Sequence, residues 1–258
     1  MRLHGKLSRR GFLARASATA GALALSGCDA LSQSGWFPRV LGAGEKVTQA
    51  AQHLLTPRKA LAQEFSESDR SPDFRSNGTA MPDSAEYEAL AAREFAAYRL
   101  QVGGLVAKPA SLSLAELRAL PSRTQITRHD CVEGWSAIGK WKGAKLSALL
   151  EQVEPRPEAR FVMLFCADPM EENGTNLYYE SIDMDEAFHP QTILAYELND
   201  RPLPVPNGAP IRLRVERQLG YKHAKYIMRI ELVESFDHIA GGKGGYWEDN
   251  GYEWYAGI

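Results

Sequence analysis

Between Tyr98 and Val233 the chain is a succession of short strand-like runs, and this constrains the fold more than any other feature. Strands are predicted at Tyr98–Val102, Gln125–Val132, Arg160–Ala167, Ile193–Leu198, Ile211–Val215 and Tyr226–Val233. Few helices interrupt them. Ser84 opens an Ala-rich helical stretch to Ala92. Ser113, with Glu116 three residues on, makes a capping box for Leu114–Leu120. Leu146, Leu149, Leu150 and Val153 share one helical face. Without a regular βαβ rhythm, these elements predict an α+β fold of mixed sheets with interspersed helices. There is no internal repeat and no low-complexity tract.

Composition adds a bound. At 258 residues, with 44% hydrophobic and 24% charged residues and a formal net charge of -2, the chain can bury a full core and has no global bias toward nucleic acid. One main domain is expected. Three cysteines, Cys28, Cys131 and Cys166, make no disulfide framework. A Cys131–Cys166 bridge stays open, since each lies in a different strand-like run.

The N-terminus reads as an address. Arg2, Lys6, Arg9 and Arg10 form a basic head, and Ala16–Gly27 is a weakly apolar stretch too short to span a bilayer. Ser8-Arg9-Arg10-Gly11-Phe12-Leu13 resembles a twin-arginine signal, used for folded, cofactor-loaded cargo. Leu25-Ser26-Gly27-Cys28 resembles a lipobox, which implies lipidation of Cys28, and Asp29 resembles an inner-membrane retention signal. Several acyl chains on one residue give stable attachment. Residues 1–28 are therefore expected to be signal and lipobox, 29–76 a tether with a docking segment, and 77–258 the main domain. Within the tether, Val47, Ala50, Ala51, Leu54 and Leu55 share a helical face, and Thr56-Pro57 supplies a cap and first-turn proline for a second helix.

Cys131 lies in Thr127-Arg128-His129-Asp130-Cys131-Val132-Glu133-Gly134-Trp135-Ser136. Arg128 and His129 are expected to lower its pKa and favour the thiolate. A buried structural cysteine or a reactive thiol without metal is the alternative. Asn207-Gly208-Ala209-Pro210 makes a tight polar turn into a strand from which Arg212 is expected to leave the sheet. Gly220 precedes the cation-rich Lys222-His223-Ala224-Lys225. Together these suit an anion such as a phosphate, unless Arg212 and Lys225 are solvated strand-face charges. The Gly- and aromatic-rich tail from Gly241 to Tyr255 could cover a site, bind a partner or substrate, or close the core with its ring faces buried.

Cys131-Val132-Glu133-Gly134-Trp135-Ser136, Trp141-Lys142-Gly143, Asn207-Gly208-Ala209-Pro210-Ile211-Arg212 and Gly220-Tyr221-Lys222-His223-Ala224-Lys225, in this order, resemble the molybdopterin-binding domain of the sulfite oxidase superfamily. The similarity runs from Asn77 to Glu234 and is closest to the branch of the periplasmic protein-methionine-sulfoxide reductase catalytic subunit. It implies a sulfite-oxidase-like fold and a molybdenum-molybdopterin cofactor with Cys131 as the protein thiolate on the metal. By the same resemblance Asn207 and Arg212 contact the pterin, His223, Ala224 and Lys225 close around its phosphate, and Asn77, Ala80 and Met81 form an upstream contact. Cys166 stands where that branch has a threonine near the pterin, with Asp168 as an alternative contact. The implied activity is oxygen-atom exchange with a sulfoxide-type oxo compound, the metal cycling between Mo(VI) and Mo(IV). Sulfite oxidation and a non-catalytic binding lipoprotein are the alternatives. With no room for a haem or immunoglobulin-like domain, the chain is expected to be a monomer. Its electron partner would be a membrane haem b cytochrome or similar carrier, with the enzyme lipid-anchored in the periplasm on the outer face of the inner membrane.

Overall fold

The computed structural model describes residues 34–55, Pro57, 59–171 and 176–258. Arg9-Arg10, the lipobox and Cys28 lie outside the described residues. Two compact units divide between Leu55 and Thr56. The first contains α1, Phe37–Leu55, in which the predicted helical period is realised. Val47 and Leu54, on its predicted apolar face, are exposed. Among the described residues no helix is long and apolar enough to cross a membrane.

The second unit is built on two five-stranded sheets. One contains β1 (Arg99–Gly104), β2 (Ala110–Ser113), β5 (Phe161–Pro169), β6 (Leu177–Asp183) and β10 (Ile227–Val233), in the order β2-β1-β10-β5-β6. Only β1 and β10 run parallel; the other pairs are antiparallel. The other sheet contains β3 (Ser122–Cys131), β4 (Trp135–Lys145), β7 (Ile193–Leu198) and β8 (Arg201–Pro202) in that order, with β9 (Arg212–Arg214) also paired to β7. The helices are α2 (Ala85–Ala91), α3 (Leu114–Ala119), α4 (Leu146–Val153) and the short α5 (Met184–Ala187) and α6 (Tyr246–Asp249). This is the expected α+β class.

The main core draws on both sheets. Val162, Leu164, Ile230 and Leu232 come from the first and Leu194 and Leu213 from the second. The four residues Leu146, Leu149, Leu150 and Val153 are fully buried, so the i, i+3, i+4, i+7 spacing alone seats α4. Each such side chain contributes about 1.5–3 kcal/mol on burial. In α3 both bonds of the capping box form: Glu116 N–H donates to Ser113 Oγ at 3.2 Å, and Ser113 N–H donates to Glu116 Oε2 at 2.7 Å. A smaller core gathers Phe74, Ala137, Ile193, Ala195, Leu198 and Leu203 around Trp141.

Two expectations are corrected. The helix after Thr56-Pro57 does not form among the described residues; a turn closes from Ala60 N–H to the Pro57 carbonyl. Beyond it Ala62 N–H donates to Gln191 Oε1 at 2.7 Å and Phe65 N–H to the Ile126 carbonyl at 2.9 Å. Pairing to β3 overrides local propensity there. Phe74 packs edge-on against Trp141 with ring centroids 5.0 Å apart, so the last part of the expected tether is core structure. Second, β2, β4, β6 and β8 are not among the predicted strands. In β4, Lys140, Lys142 and Lys145 and the glycines mask a period of two in which Ala137, Gly139, Trp141 and Gly143 are buried.

Gly143 sits where the β4–β7 register shifts, and a Cβ there would lie 2.2 Å from the Leu194 carbonyl oxygen. Gly143→Ala is therefore expected to destabilise by about 1–3 kcal/mol through strand separation. Ser113→Ala, which removes the cap of α3, is expected to cost about 1 kcal/mol. Urea unfolding midpoints of the two variants test this ordering.

Candidate active site

Period two along β3 decides what Cys131 faces. Gln125, Thr127 and His129 are buried, and Cys131 shares their parity at the strand's end. Beyond it the chain turns through Val132-Glu133-Gly134, with Gly134 N–H donating to the Cys131 carbonyl at 3.1 Å, and re-enters as β4 opposite Trp135. Half-buried, Cys131 opens on a cavity of about 250 Å³. Three stretches of chain line it: Asn77, Gly78 and Thr79; Asp168, Met170 and Tyr178; and Gly220, Tyr221, His223 and Lys225.

Burial pushes the Cys131 thiol up, against the Glu133 backbone N–H and the more distant Arg212 and Arg75, which favour the thiolate. The expectation that Arg128 and His129 activate it is corrected. Arg128 has the opposite parity, points outward and pairs with Asp130 at 2.9 Å. His129 is held neutral by burial and by repulsion from Arg214 first, then Arg212 and Lys225. Its Nδ1 lies 3.0 Å from Arg214 Nη1 and so accepts, leaving the proton on Nε2. Arg214 in turn is clamped by Glu216 at 2.9 and 2.5 Å and lies over the Trp141 ring at 4.5 Å.

Arg212 is fully buried, which removes the solvated-charge alternative. It reaches only carbonyls, those of Asn207 at 3.1 Å and His223 at 3.2 Å. Among the described residues no carboxylate lies within ion-pair distance of it. Burial, with Arg214 nearby, lowers its pKa to about 9. Gly208 adopts φ +110°, and any Cβ there would press on Lys225 Cβ at 2.9 Å and Arg212 Cβ at 3.1 Å. Glycine thus lets the 205–210 turn close over both cations. Lys225 donates to the carbonyls of Asn77 at 2.6 Å, Thr79 at 2.5 Å and Pro206 at 3.0 Å. Burial first, then Arg212, brings its pKa down to about 7.

The fold therefore brings together Cys131, Asn77, His223 and Lys225 in the cavity, with Arg212 and Asn207 directly behind. Other expected contacts fall elsewhere. Ala80 and Met81 are exposed and do not line it; Gly78 and Thr79 do. Cys166 and Ala224 are packed in the main core. Cys166 therefore makes no disulfide with Cys131. Lys222, placed by sequence in the anion loop, is withdrawn into a buried triad with Glu180 at 2.5 Å and Glu248 at 2.6 Å. The tail proves to do two things: Trp254 packs on Phe161 and Phe236, while Trp247 and Tyr252 wall the cavity. Glu133, Met170 and Tyr178 were missed, and no spacing in the sequence marks them.

Among the residues lining this cleft, Asn77 Oδ1, Asp168 Oδ1 and His223 Nδ1 are buried without a partner, as are Nε of Arg212, which bonds the His223 carbonyl, and Nδ2 of Asn207, whose carbonyl bonds Arg212. Leaving such groups unsatisfied costs about 1–3 kcal/mol each. Donors at Asn207 and Arg212 suit a phosphate, and acceptors at Asn77 and Asp168 suit the amino and ring N–H groups of a pterin, so the residues fit molybdopterin. Asp168 supplies a test. Burial pushes its carboxyl up to about 6, against Lys225 and a Thr79 hydrogen bond. As pH rises from the ordinary carboxylate range through 6, the unfolded chain releases this proton before the folded one, so stability falls across that window. In the cofactor-free protein, Asp168→Asn should remove a loss on the order of 3 kcal/mol between pH 4 and 6, read from denaturant midpoints against pH.

Comparison with known proteins identifies the family. Residues 88–238 match the family "Oxidoreductase molybdopterin binding domain". A relative named as protein-methionine-sulfoxide reductase subunit YedZ1, from Azospira oryzae, is 38% identical over 252 residues, covering 97% of this chain and 88% of the relative. The protein-methionine-sulfoxide reductase catalytic subunit MsrP of Xanthomonas axonopodis pv. citri is 40% identical over 151 residues, covering 55% of this chain and 47% of MsrP. The chain thus spans about half the length of that relative. Among solved structures, the sulfane dehydrogenase SoxCD from Paracoccus pantotrophus aligns with a TM-score of 0.49 and 23% identity, covering 54% of this chain and 39% of that one. With more than half of its residues in the family match, the chain belongs to the molybdopterin-binding oxidoreductases.

Proposed function

We propose that the chain is the catalytic subunit of an exported sulfoxide reductase, with Cys131 as the thiolate on molybdenum. The observation that carries this is the placement of an inward thiol at the end of β3, facing a cleft lined by partnerless polar atoms. Similarity to methionine-sulfoxide reductase subunits supports the substrate class.

When bound, the molybdenum cofactor supplies oxygen-atom transfer coupled to a two-electron change at the metal. The reaction balances as R2S=O + 2e⁻ + 2H⁺ → R2S + H2O. The protein's part is to hold and shield. Asn207 Nδ2 and Arg212 Nε would donate to the phosphate, a charge-assisted arrangement open to Arg212 because no carboxylate among the described residues competes for it. His223 and Lys225 would close the loop beside it, and Asn77 and Asp168 would accept from the pterin edge. Glu133, held by the Trp135 indole N–H at 2.9 Å, lines the cleft with Cys131. Neutral His129, locked by Arg214, keeps the floor rigid without adding charge. The Arg9-Arg10 signal and lipobox support export and attachment at the outer face of the inner membrane, where a haem b cytochrome would supply electrons.

Cys131→Ser is expected to lose the sulfur-to-molybdenum absorption and nearly all turnover of reduced dye with sulfoxides, while Cys166→Ser, a core substitution, keeps both. Full activity in Cys131→Ser protein, or purified wild type without molybdenum from molybdenum-replete cells, overturns the assignment. For placement, Arg9→Lys with Arg10→Lys should retain the protein in the cytoplasm, and Cys28→Ala should free the exported form from membranes. Cell fractionation with immunoblotting reads both.

A further inference from the structure

We infer that the C-terminal segment beyond the family-matched residues 88–238 forms the substrate-recognising wall of the cleft, with Trp247 and Tyr252 receiving the S-methyl end of a methionine sulfoxide side chain. The inference rests on the sulfoxide-reductase reading above and names the residues that select its substrate.

The cleft lining is chemically mixed. Asp168, Lys225 and Glu133 contribute polar groups, whereas Trp247, Tyr252 and Met170 contribute aromatic and thioether surface. Trp247 and Tyr252 stack with centroids 5.3 Å apart and an interplanar angle of 29°, and Tyr221 meets Tyr252 edge-on at 5.2 Å. Tyr252 remains 40% exposed, so this wall stands at the mouth. It is also fixed in place. Glu248, next to Trp247, is buried against Lys222 at 2.6 Å. Asp249 accepts from Tyr179 and from the backbone N–H groups of Gly241 at 2.8 Å and Lys243 at 3.0 Å. Tyr221 Oη donates to the Glu253 carbonyl at 2.6 Å, and Leu219 N–H to the Ala256 carbonyl at 2.9 Å.

A methyl sulfoxide has matching halves. Its S–O dipole needs the polar groups, while its electron-poor methyl group and sulfur are attracted to aromatic faces. Rings already tied to the core lose little freedom on binding, so the contact is used efficiently.

The test uses molybdenum-loaded full-length enzyme, reduced dye and N-acetyl-methionine sulfoxide methylamide. Trp247→Ala should raise KM about tenfold with kcat within about threefold and molybdenum content unchanged, and Trp247→Phe should restore most of the KM. Tyr252→Ala, at the exposed mouth, should raise KM in the same sense and decides the matter if Trp247→Ala does not accumulate loaded. An unchanged KM in the Ala variants, or a fall confined to kcat, overturns the wall. If loaded wild type reduces no sulfoxide, it is the sulfoxide-reductase reading itself that fails.

Discussion

The ten-residue ladder between β3 and β4, from Ser122 opposite Ala144 to Cys131 opposite Trp135, is the constraint on which the site depends. Side chains alternate along a strand, so a one-residue slip would turn His129 and Cys131 outward and Arg128 and Asp130 inward. Burial on the inner face prevents that slip. Trp141 is fully buried under Arg214 and Arg212, Phe74 packs against its ring, and His129 accepts from Arg214. A single aromatic residue in β4 thus couples hairpin register, the buried guanidinium groups and the small core.

Charge burial follows two different patterns. Arg214 with Glu216, and Lys222 with Glu180 and Glu248, are paired inside the protein and serve its architecture. Arg212 and Lys225 are held by carbonyls, with the Tyr226 hydroxyl also near Lys225, and among the described residues neither forms an ion pair. Buried cations without a carboxylate are expensive unless something else neutralises them. Their shared position at the 205–210 turn and the 223–225 segment is where an anionic cofactor would relieve that cost. Local frustration of this kind is expected at a functional site.

The tail shows how the same residues serve core and cleft. α6 buries Glu248 beside Lys222 while turning Trp247 to the cavity, because consecutive helical positions point in different directions. One short element therefore ties the C-terminal segment down and finishes the wall.

Much of this protein was legible in its sequence. Ordered motifs around Cys131, Asn207, Arg212 and Gly220 pointed to the molybdopterin family, and apolar periodicity located α4, β5, β7 and β10, because those elements bury uninterrupted apolar faces. Periodicity failed at β4, where glycines and lysines that suit close strand approach and a polar outer face obscure the alternation. Tertiary structure alone decided which cations face the site. Lys222 and Lys225 lie three residues apart in one loop, yet one is drawn to Glu180 and Glu248 and the other to the carbonyls of residues 77–79. Similarly, Arg128 and His129 flank Cys131 equally in sequence, but one is solvated and the other buried neutral. Local sequence determines which groups are available and with what period. Which of them is desolvated, paired or left facing a cleft depends on partners distant in the chain, from Glu248, 26 residues beyond Lys222, to Asn77, 148 residues before Lys225, and those contacts exist only once the sheets have packed.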